Sequence, residues 1–149
     1  MRAKASNSFQ LSFPSRSANE GFARSAVACF AAQMDPTLNE LEDIKTAVSE
    51  AVTNAIVHAY PDSLGTVTLK ARILAGNTLE IVVKDCGRGI PDIEKARQPM
   101  FTTGGEERSG MGFTIMESFM DQLAVKSVSG RGTTVTMRRK ISTRLQQKK

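Results

Sequence analysis

The stretch Leu79-Glu80-Ile81-Val82-Val83-Lys84-Asp85-Cys86-Gly87-Arg88-Gly89-Ile90 decides how this chain reads. Leu79, Ile81 and Val83 alternate with polar or smaller positions, the period of a strand with one buried face. Continuing that parity puts Asp85 on the buried side at the strand end, where a carboxylate is costly unless it meets a donor. Gly87 and Gly89 allow a tight backbone and the close approach of a flat ligand. Two readings stay open for Asp85. It accepts a hydrogen bond from an exocyclic amino group, as adenine offers beside no carbonyl, or it caps its own turn, as Asp-x-Gly sequences often do. Gly87-x-Gly89 runs into Pro91 with no third glycine opening a helix, which argues against a dinucleotide-binding fold.

Upstream, Phe9, Leu11 and Phe13 predict a strand that stops at Pro14. Ser17-x-x-Glu20 reads as a capping box before a helix carrying Phe22, Ala23, Ala26, Val27, Phe30 and Ala31. A second capping box, Thr37-x-x-Glu40, starts a long helix with an apolar stripe from Leu41 to Ala59, ending near Tyr60-Pro61. Val67, Leu69, Ala71 and Ile73 predict the strand that pairs with Leu79–Val83 as a hairpin around Ala75-Gly76-Asn77. From Cys86 to Gly112 the chain reads as a long glycine- and proline-rich loop, a lid, with a short helical piece near Ile93–Arg97. A helix with Phe113, Met116, Phe119 and Met120 on one face follows, then strands around Leu123–Val128 and Thr133–Met137. This order is not the strict alternation of a doubly wound fold. It predicts an α+β, two-layer α/β sandwich, with a mixed sheet and helices on one face. Residues 1–142 form one domain, and residues 143–149 a flexible basic tail.

Two more polar signatures occupy helix positions. Glu50 and Asn54 are four apart, neighbours on one helix face that also holds Thr46 and Thr53. They are either part of a solvated face or a carboxylate base beside an amide oxygen suited to magnesium, a hard cation that prefers oxygen and keeps several waters. Ser109-Gly110-Met111-Gly112-Phe113 opens a helix. It is an ordinary glycine-rich start or a set of backbone N–H groups aimed at phosphate. Gly130-Arg131-Gly132-Thr133 reads as a hairpin turn, with Thr133 a further polar contact. His58, the single histidine, lacks partners for a metal site and reads as a helix-end hydrogen-bonding residue. There is no G-x-x-x-x-G-K-[ST] sequence, so a P-loop is excluded. The catalytic-loop and magnesium-loop patterns of eukaryotic-type protein kinases are missing too.

The bulk properties agree with a globular domain of 149 residues, with 40% hydrophobic and 23% charged residues. No apolar run reaches membrane-spanning length, and Met1-Arg2-Ala3-Lys4-Ala5-Ser6 is not followed by the apolar core of a secretory signal. Two cysteines make no disulfide framework, which points to a reducing cytoplasm. Much of the net charge of +5 sits in the C-terminal tail, and aromatics make up only 5%. That composition argues against direct nucleic-acid binding and leaves room for an acidic protein partner.

Taken together, Glu50-Ala51-Val52-Thr53-Asn54-Ala55-Ile56-Val57-His58, Asp85-x-Gly87-x-Gly89-Ile90 and Gly110-Met111-Gly112-Phe113 resemble the N, G1 and G2 boxes of the GHKL ATPase superfamily. The match runs almost end to end with the bacterial anti-sigma factor serine kinases. Arg97-Gln98-Pro99-Met100-Phe101-Thr102-Thr103 and Gly110–Glu117 particularly resemble the sporulation branch of that family. The resemblance implies a Bergerat-type pocket for ATP or ADP with Mg2+, Asp85 on adenine and Asn54 on the metal. Gly87, Gly89 and Ile90 belong to the adenine loop; Thr102, Thr103, Arg108, Ser109, Gly110, Met111, Gly112 and Phe113 belong to the phosphate lid and the helix behind it. It implies Glu50 as the general base that takes the proton of a substrate serine. It also implies a homodimer that captures a sporulation-type sigma factor, phosphorylates an anti-anti-sigma factor, and presents Glu20 and Arg24 to partners. The chain departs from relatives at His58-Ala59, where they often have His-Gly, and at Gly104-Gly105, where lysine and proline are frequent.

The nearest rival is a sensor histidine kinase catalytic domain, which needs a helical dimerisation region and an acceptor histidine that this chain lacks. A carboxylate at Glu50 also suits a hydroxyl better than an imidazole, which is already nucleophilic. A water-activating ATPase would use a similar glutamate, and a nucleotide-gated binding module would need no phosphotransfer.

Overall fold

A computed structural model describes residues 4–90 and 112–142. Residues 91–111 of the lid expected from Cys86 to Gly112, including its short helical piece near Ile93–Arg97, and the basic tail 143–149 lie outside the described residues. Strand β1 (Ala5–Pro14) leads into helix α1 (Asn19–Ala31), a single 3-10 turn (Ala32–Met34) and helix α2 (Leu38–Asn54). Helix α2 continues as a π-helical turn over Ala55–Ala59. Then come β2 (Thr66–Leu74), β3 (Thr78–Asp85), α3 (Gly112–Phe119), β4 (Gln122–Val128) and β5 (Gly132–Lys140).

The sheet order is β1-β2-β3-β5-β4. The expected two-layer α+β sandwich is what forms, but every pairing among the described strands is antiparallel, whereas a mixed sheet was expected. Connectivity explains the difference. Two helices separate β1 from β2, so the chain reverses an odd number of times and returns antiparallel. Strands β3 and β4 do run the same way, yet β5 slots between them and no parallel neighbours meet.

The hairpin between β2 and β3 turns on Gly76 and Asn77, both at positive φ (78° and 53°), as the twist of the flanking strands requires. The inward row of the sheet comprises Leu69, Leu79, Ile81, Val83, Val135 and Met137, all buried. Against it α1 sets Ala23, Val27 and Ala31, and α2 sets Ile44, Ala47, Val48, Ala51 and Val52. Alanines on both helices let their backbones approach closely, while the branched residues fill the layer below. Phe113 and Met116 of α3 complete this core.

The two expected capping boxes part company. Thr37 Oγ1 accepts from Glu40 N at 3.0 Å and Glu40 Oε1 accepts from Thr37 N at 2.9 Å, the reciprocal pair that the spacing predicts. Glu40 Oε2 also accepts from Ser142 N at 3.0 Å, tying the start of α2 to the end of the sheet. At α1 the N-cap is Ala18, with no side-chain cap. The Ser17 box does not form because Glu20 is engaged elsewhere, as shown below.

On the outer face of the sheet Glu80 is only 3% exposed and lies between two arginines. Arg72 Nε donates to Oε1 at 2.7 Å and Arg138 Nε donates to Oε2 at 2.8 Å. Burial pushes its pKa up, but the two guanidinium bonds overcome that and hold it below 4.5. Because the folded pKa is depressed, Glu80 stabilises the fold above the ordinary glutamate value, and the contribution is lost as pH falls through the folded one. Glu80→Gln should cost about 2 kcal/mol at neutral pH, the scale of hydrogen bonds to a charged partner. Thermal melts from pH 7 down to pH 3 should show the gap to wild type closing below about 4.5; a gap that is constant with pH would refute the ion-pair account.

Candidate nucleotide site

Asp85 ends β3 on the buried side, 7% exposed, as its parity predicts. Its Oδ1 accepts from Gly87 N at 3.0 Å and from Thr133 N at 3.2 Å. Among the described residues, its second oxygen, Oδ2, receives no hydrogen bond. The turn-capping reading is what the structure shows, through Oδ1; the second oxygen leaves an acceptor for the other reading. Burial raises the Asp85 pKa above 3.8, with the Gly87 and Thr133 N–H groups pulling the other way. A folded pKa raised above the unfolded one means that Asp85 favours folding at acid pH and that this is lost as pH rises through the folded value. At neutral pH the pocket thus holds a strained carboxylate that a donor would relieve.

The loop after Asp85 is strapped on both sides. Arg88 N donates to Ala59 O at 3.2 Å and Arg88 Nε donates to His58 O at 2.8 Å, so the last carbonyls of the helix are satisfied by the loop. Gly130 N donates to Arg88 O at 2.7 Å from the other side. These contacts leave no room for side chains. A Cβ on Gly87 would lie 2.3 Å from Ala59 O, and one on Gly89 (φ 77°) would lie 2.5 Å from Val128 O. The departure at Ala59 is thus absorbed, its methyl packing over Gly87.

Two residues that sequence reasoning missed hold this loop. Tyr60 Oη accepts from Cys86 N at 2.7 Å and donates to Thr66 O at 2.9 Å. Ser127 Oγ accepts from Ile90 N at 2.7 Å, bonds Thr133 Oγ1 at 2.9 Å and lies 3.1 Å from Gly132 O. Ser127 lies on the inward side of β4 with Leu123 and Val125, a polar residue in an apolar row, which was the available signal. Thr133, expected as a further polar contact, is a buried part of this network.

Glu50 and Asn54 are half-buried rather than on a solvated face, because α3 packs beside α2 and its first residue covers them. A Cβ on Gly112 would lie 3.1 Å from Asn54 Nδ2 and 3.3 Å from both Asn54 Oδ1 and Glu50 Oε2. The glycine that opens α3 is therefore the contact that brings the helix signature and the third glycine signature together, with Phe113 buried just behind. Among the described residues no group of three or more His, Cys, Asp or Glu side chains forms a metal site. An amide oxygen with one carboxylate nearby fits a magnesium ion held mainly by phosphate and water. Thr102, Thr103, Arg108, Ser109, Gly110 and Met111 lie outside the described residues.

Beyond the pocket, Glu20 Oε1 accepts from Ser49 Oγ of α2 and lies 3.5 Å from Arg24 Nη1. This is what takes Glu20 from the expected cap. Arg24 in turn lines a shallow polar groove with Glu42, Lys45, Thr46, Ser49 and Glu50.

The described fold is that of an ATPase domain, and the chain matches the histidine kinase-like ATPase domain over residues 13–139. An anti-sigma F factor of a Thermoanaerobacter species is 58% identical over 88% of this chain and 92% of its own. That of Geobacillus kaustophilus is 53% identical over 91% and 94%. The chain belongs to the histidine kinase-like ATPase family and, within it, to the anti-sigma F factors. Among solved structures, the RsbU and RsbW domains of a Mycobacterium tuberculosis protein share the fold with a TM-score of 0.67 at 18% identity, over 91% of this chain and 33% of that one. The histidine kinase domain of a blue-light activated kinase from Erythrobacter litoralis gives 0.60 at 25% identity, over 88% and 62%.

Asp85→Asn tests the adenine acceptor without disturbing the loop. With Oδ1 held by Gly87 and Thr133, the amide offers a donor where adenine needs an acceptor; flipped, it turns that donor on two N–H groups. ATP affinity should fall by about tenfold to a hundredfold, the value of one hydrogen bond to a charged group. The melting temperature at neutral pH should hold or rise, since a strained charge is removed. Calorimetric titration showing unchanged ATP affinity would remove Asp85 from adenine recognition.

Proposed function

We propose that this chain is an anti-sigma factor and an ATP-dependent protein serine kinase. It holds a sporulation-type sigma factor inactive and phosphorylates a serine of an anti-anti-sigma factor, as a homodimer in the cytoplasm. The observation that carries this reading is the near full-length identity, 58% over 92% of the relative, with proteins named anti-sigma F factor. No described helix is long and apolar enough to cross a membrane, in keeping with a partner-binding regulator.

ATP supplies the phosphoryl group, and Mg2+ neutralises charge on its phosphates. The chain's own residues do the rest. Asp85 Oδ2 and the Gly87–Ile90 loop would hold the adenine. Asn54 Oδ1 is the ligand offered to the metal. Glu50, one turn earlier on the same helix, accepts the proton of the attacking serine hydroxyl, a role that suits a carboxylate beside a developing phosphate ester. The polar groove from Arg24 to Glu50 supports an acceptor that approaches between α1 and α2. Glu20 holds Arg24 in place from the anchor at Ser49.

With γ-labelled ATP and an anti-anti-sigma protein, wild type should place the label on a serine. Glu50→Gln keeps the shape against Gly112 but not the basicity. It should bind ATP normally and lose about a hundredfold or more in transfer rate, the usual worth of a general base. Normal transfer by that variant would dismiss Glu50 as the base, and release of labelled phosphate without labelled protein from wild type would favour a hydrolase.

Arg24→Ala removes a partly exposed charge far from the adenine loop. Capture of the sigma factor should weaken by about tenfold, the scale of a single interface contact, with ATP affinity unchanged. Equal capture would dismiss the partner role of α1.

A further inference from the structure

The helices cover one face of the sheet, and among the described residues the other face is open. The outward positions of the strands carry Lys70, Arg72, Lys84, Lys126, Arg138 and Lys140 against one carboxylate, Glu80. Glu80 engages Arg72 and Arg138, so both guanidinium groups are neutralised within the face. The lysines are not. Among the described residues no carboxylate pairs with Lys70, Lys84 or Lys126, and all three are exposed.

Register sets these lysines close together. Val82 lies opposite Lys70, so Lys84, two residues on, is its diagonal neighbour, about 7–8 Å away. Lys84 and Lys126 both pair with Thr134, one from each side, which puts them two strand spacings, about 9.5 Å, apart. Thr68 and Thr134 flank Lys84 and add hydroxyl donors between the ammonium groups. Like charges facing one another on a sheet are destabilising, and surfaces that need only solubility intersperse the two signs. Lysines also guard open sheet edges, which accounts for Lys126 on the edge strand β4. Lys70 and Lys84, however, stand on the interior strands β2 and β3. A ligand of opposite charge accounts for all three.

We propose that the outer face of the sheet, centred on Lys70, Lys84 and Lys126, docks an acidic segment of a protein partner. This goes beyond the kinase reading and does not depend on it. Charge directs an acidic segment to this face and away from the opposite layer, where α2 carries Glu40, Glu42, Asp43 and Glu50. Three features favour polypeptide carboxylates over a nucleic acid or a membrane. Both arginines, the side chains that grip phosphate bidentately, are already held by Glu80. The face has no aromatic residue on which bases could stack. Between the lysines stand Val82, Ala124, Thr134 and Thr136, none of them long enough to enter a bilayer. Asp85 and the Arg24 groove lie on the helix side of the sheet, so a partner held here leaves both open.

The test uses the full chain and a fluorescein-labelled decaglutamate peptide, read by anisotropy. Wild type should bind it, and salt raised to about 1 M, where the screening length is about 3 Å, should release it. Lys70→Gln, Lys84→Gln and Lys126→Gln together should weaken binding by about tenfold, the joint worth of three exposed ion pairs. The melting temperature of that variant should hold or rise, since repulsion is removed, and its ATP affinity should not change. Arg144→Gln, Lys148→Gln and Lys149→Gln remove the same charge from the C-terminal tail and should leave peptide affinity unchanged. In an isotope-labelled chain the peptide should shift amide resonances of β2, β3 and β4. Equal weakening by the two triple variants would reduce the effect to net charge and overturn the docking face. So would absence of binding by wild type, shifts centred on the helix layer, or tighter binding of an oligothymidylate or of phosphatidylserine vesicles.

Discussion

A carboxylate buried at the end of a strand is the constraint around which the rest of this molecule is arranged. Asp85 would be costly in an apolar layer, so the chain supplies two backbone donors to one of its oxygens. The first, Gly87, requires the loop to double back at once; the second, Thr133, requires β5 to lie directly beside β3. Gly132, at φ 123°, is forced by the same contact, since a Cβ there would lie 2.1 Å from Asp85 O. Sheet order, turn composition and the open acceptor on Oδ2 thus share one cause.

That cause explains which parts were legible in the sequence. Asp85 could be placed from parity alone because strand alternation is rigid and short-range. The Thr37–Glu40 box was legible because both bonds lie within four residues. Ser17–Glu20 has the same spacing and failed because a long-range partner, Ser49, claims the glutamate. The antiparallel sheet was not legible for a similar reason. The chain shows β3, helix, β4 in order, and only tertiary packing reveals that β5 separates them. Tyr60 and Ser127 were missed because each acts through a hydroxyl bonding backbone far along the chain, which leaves no local pattern.

Gly112 shows a different kind of legibility. Its place at a helix start suggested phosphate, and its contact with Asn54 and Glu50 adds a second requirement for having no side chain. Small residues at crossings of this kind set how close two helices come, and here that closeness half-buries the two polar groups of α2. A glutamate shielded from water on one side keeps fewer competing donors, which favours its use as a base over its use as a surface charge.

Helix α2 is the element through which these requirements meet. Ser49 and Glu50 are consecutive, so they point about 100° apart: Ser49 reaches α1 and holds Glu20, while Glu50 reaches α3. One turn on, Asn54 faces the same contact as Glu50. The helix then widens into a π-helical turn, a distortion common at functional sites. Its last carbonyls are bound by Arg88 of the loop after Asp85 rather than by a cap of their own. The groove at α1, Glu50, Asn54 and the loop after Asp85 are therefore fixed to a single rigid body. A shift of α2 by a fraction of an ångström is felt at all of them, because close-packed side chains on both flanks leave it no independent play.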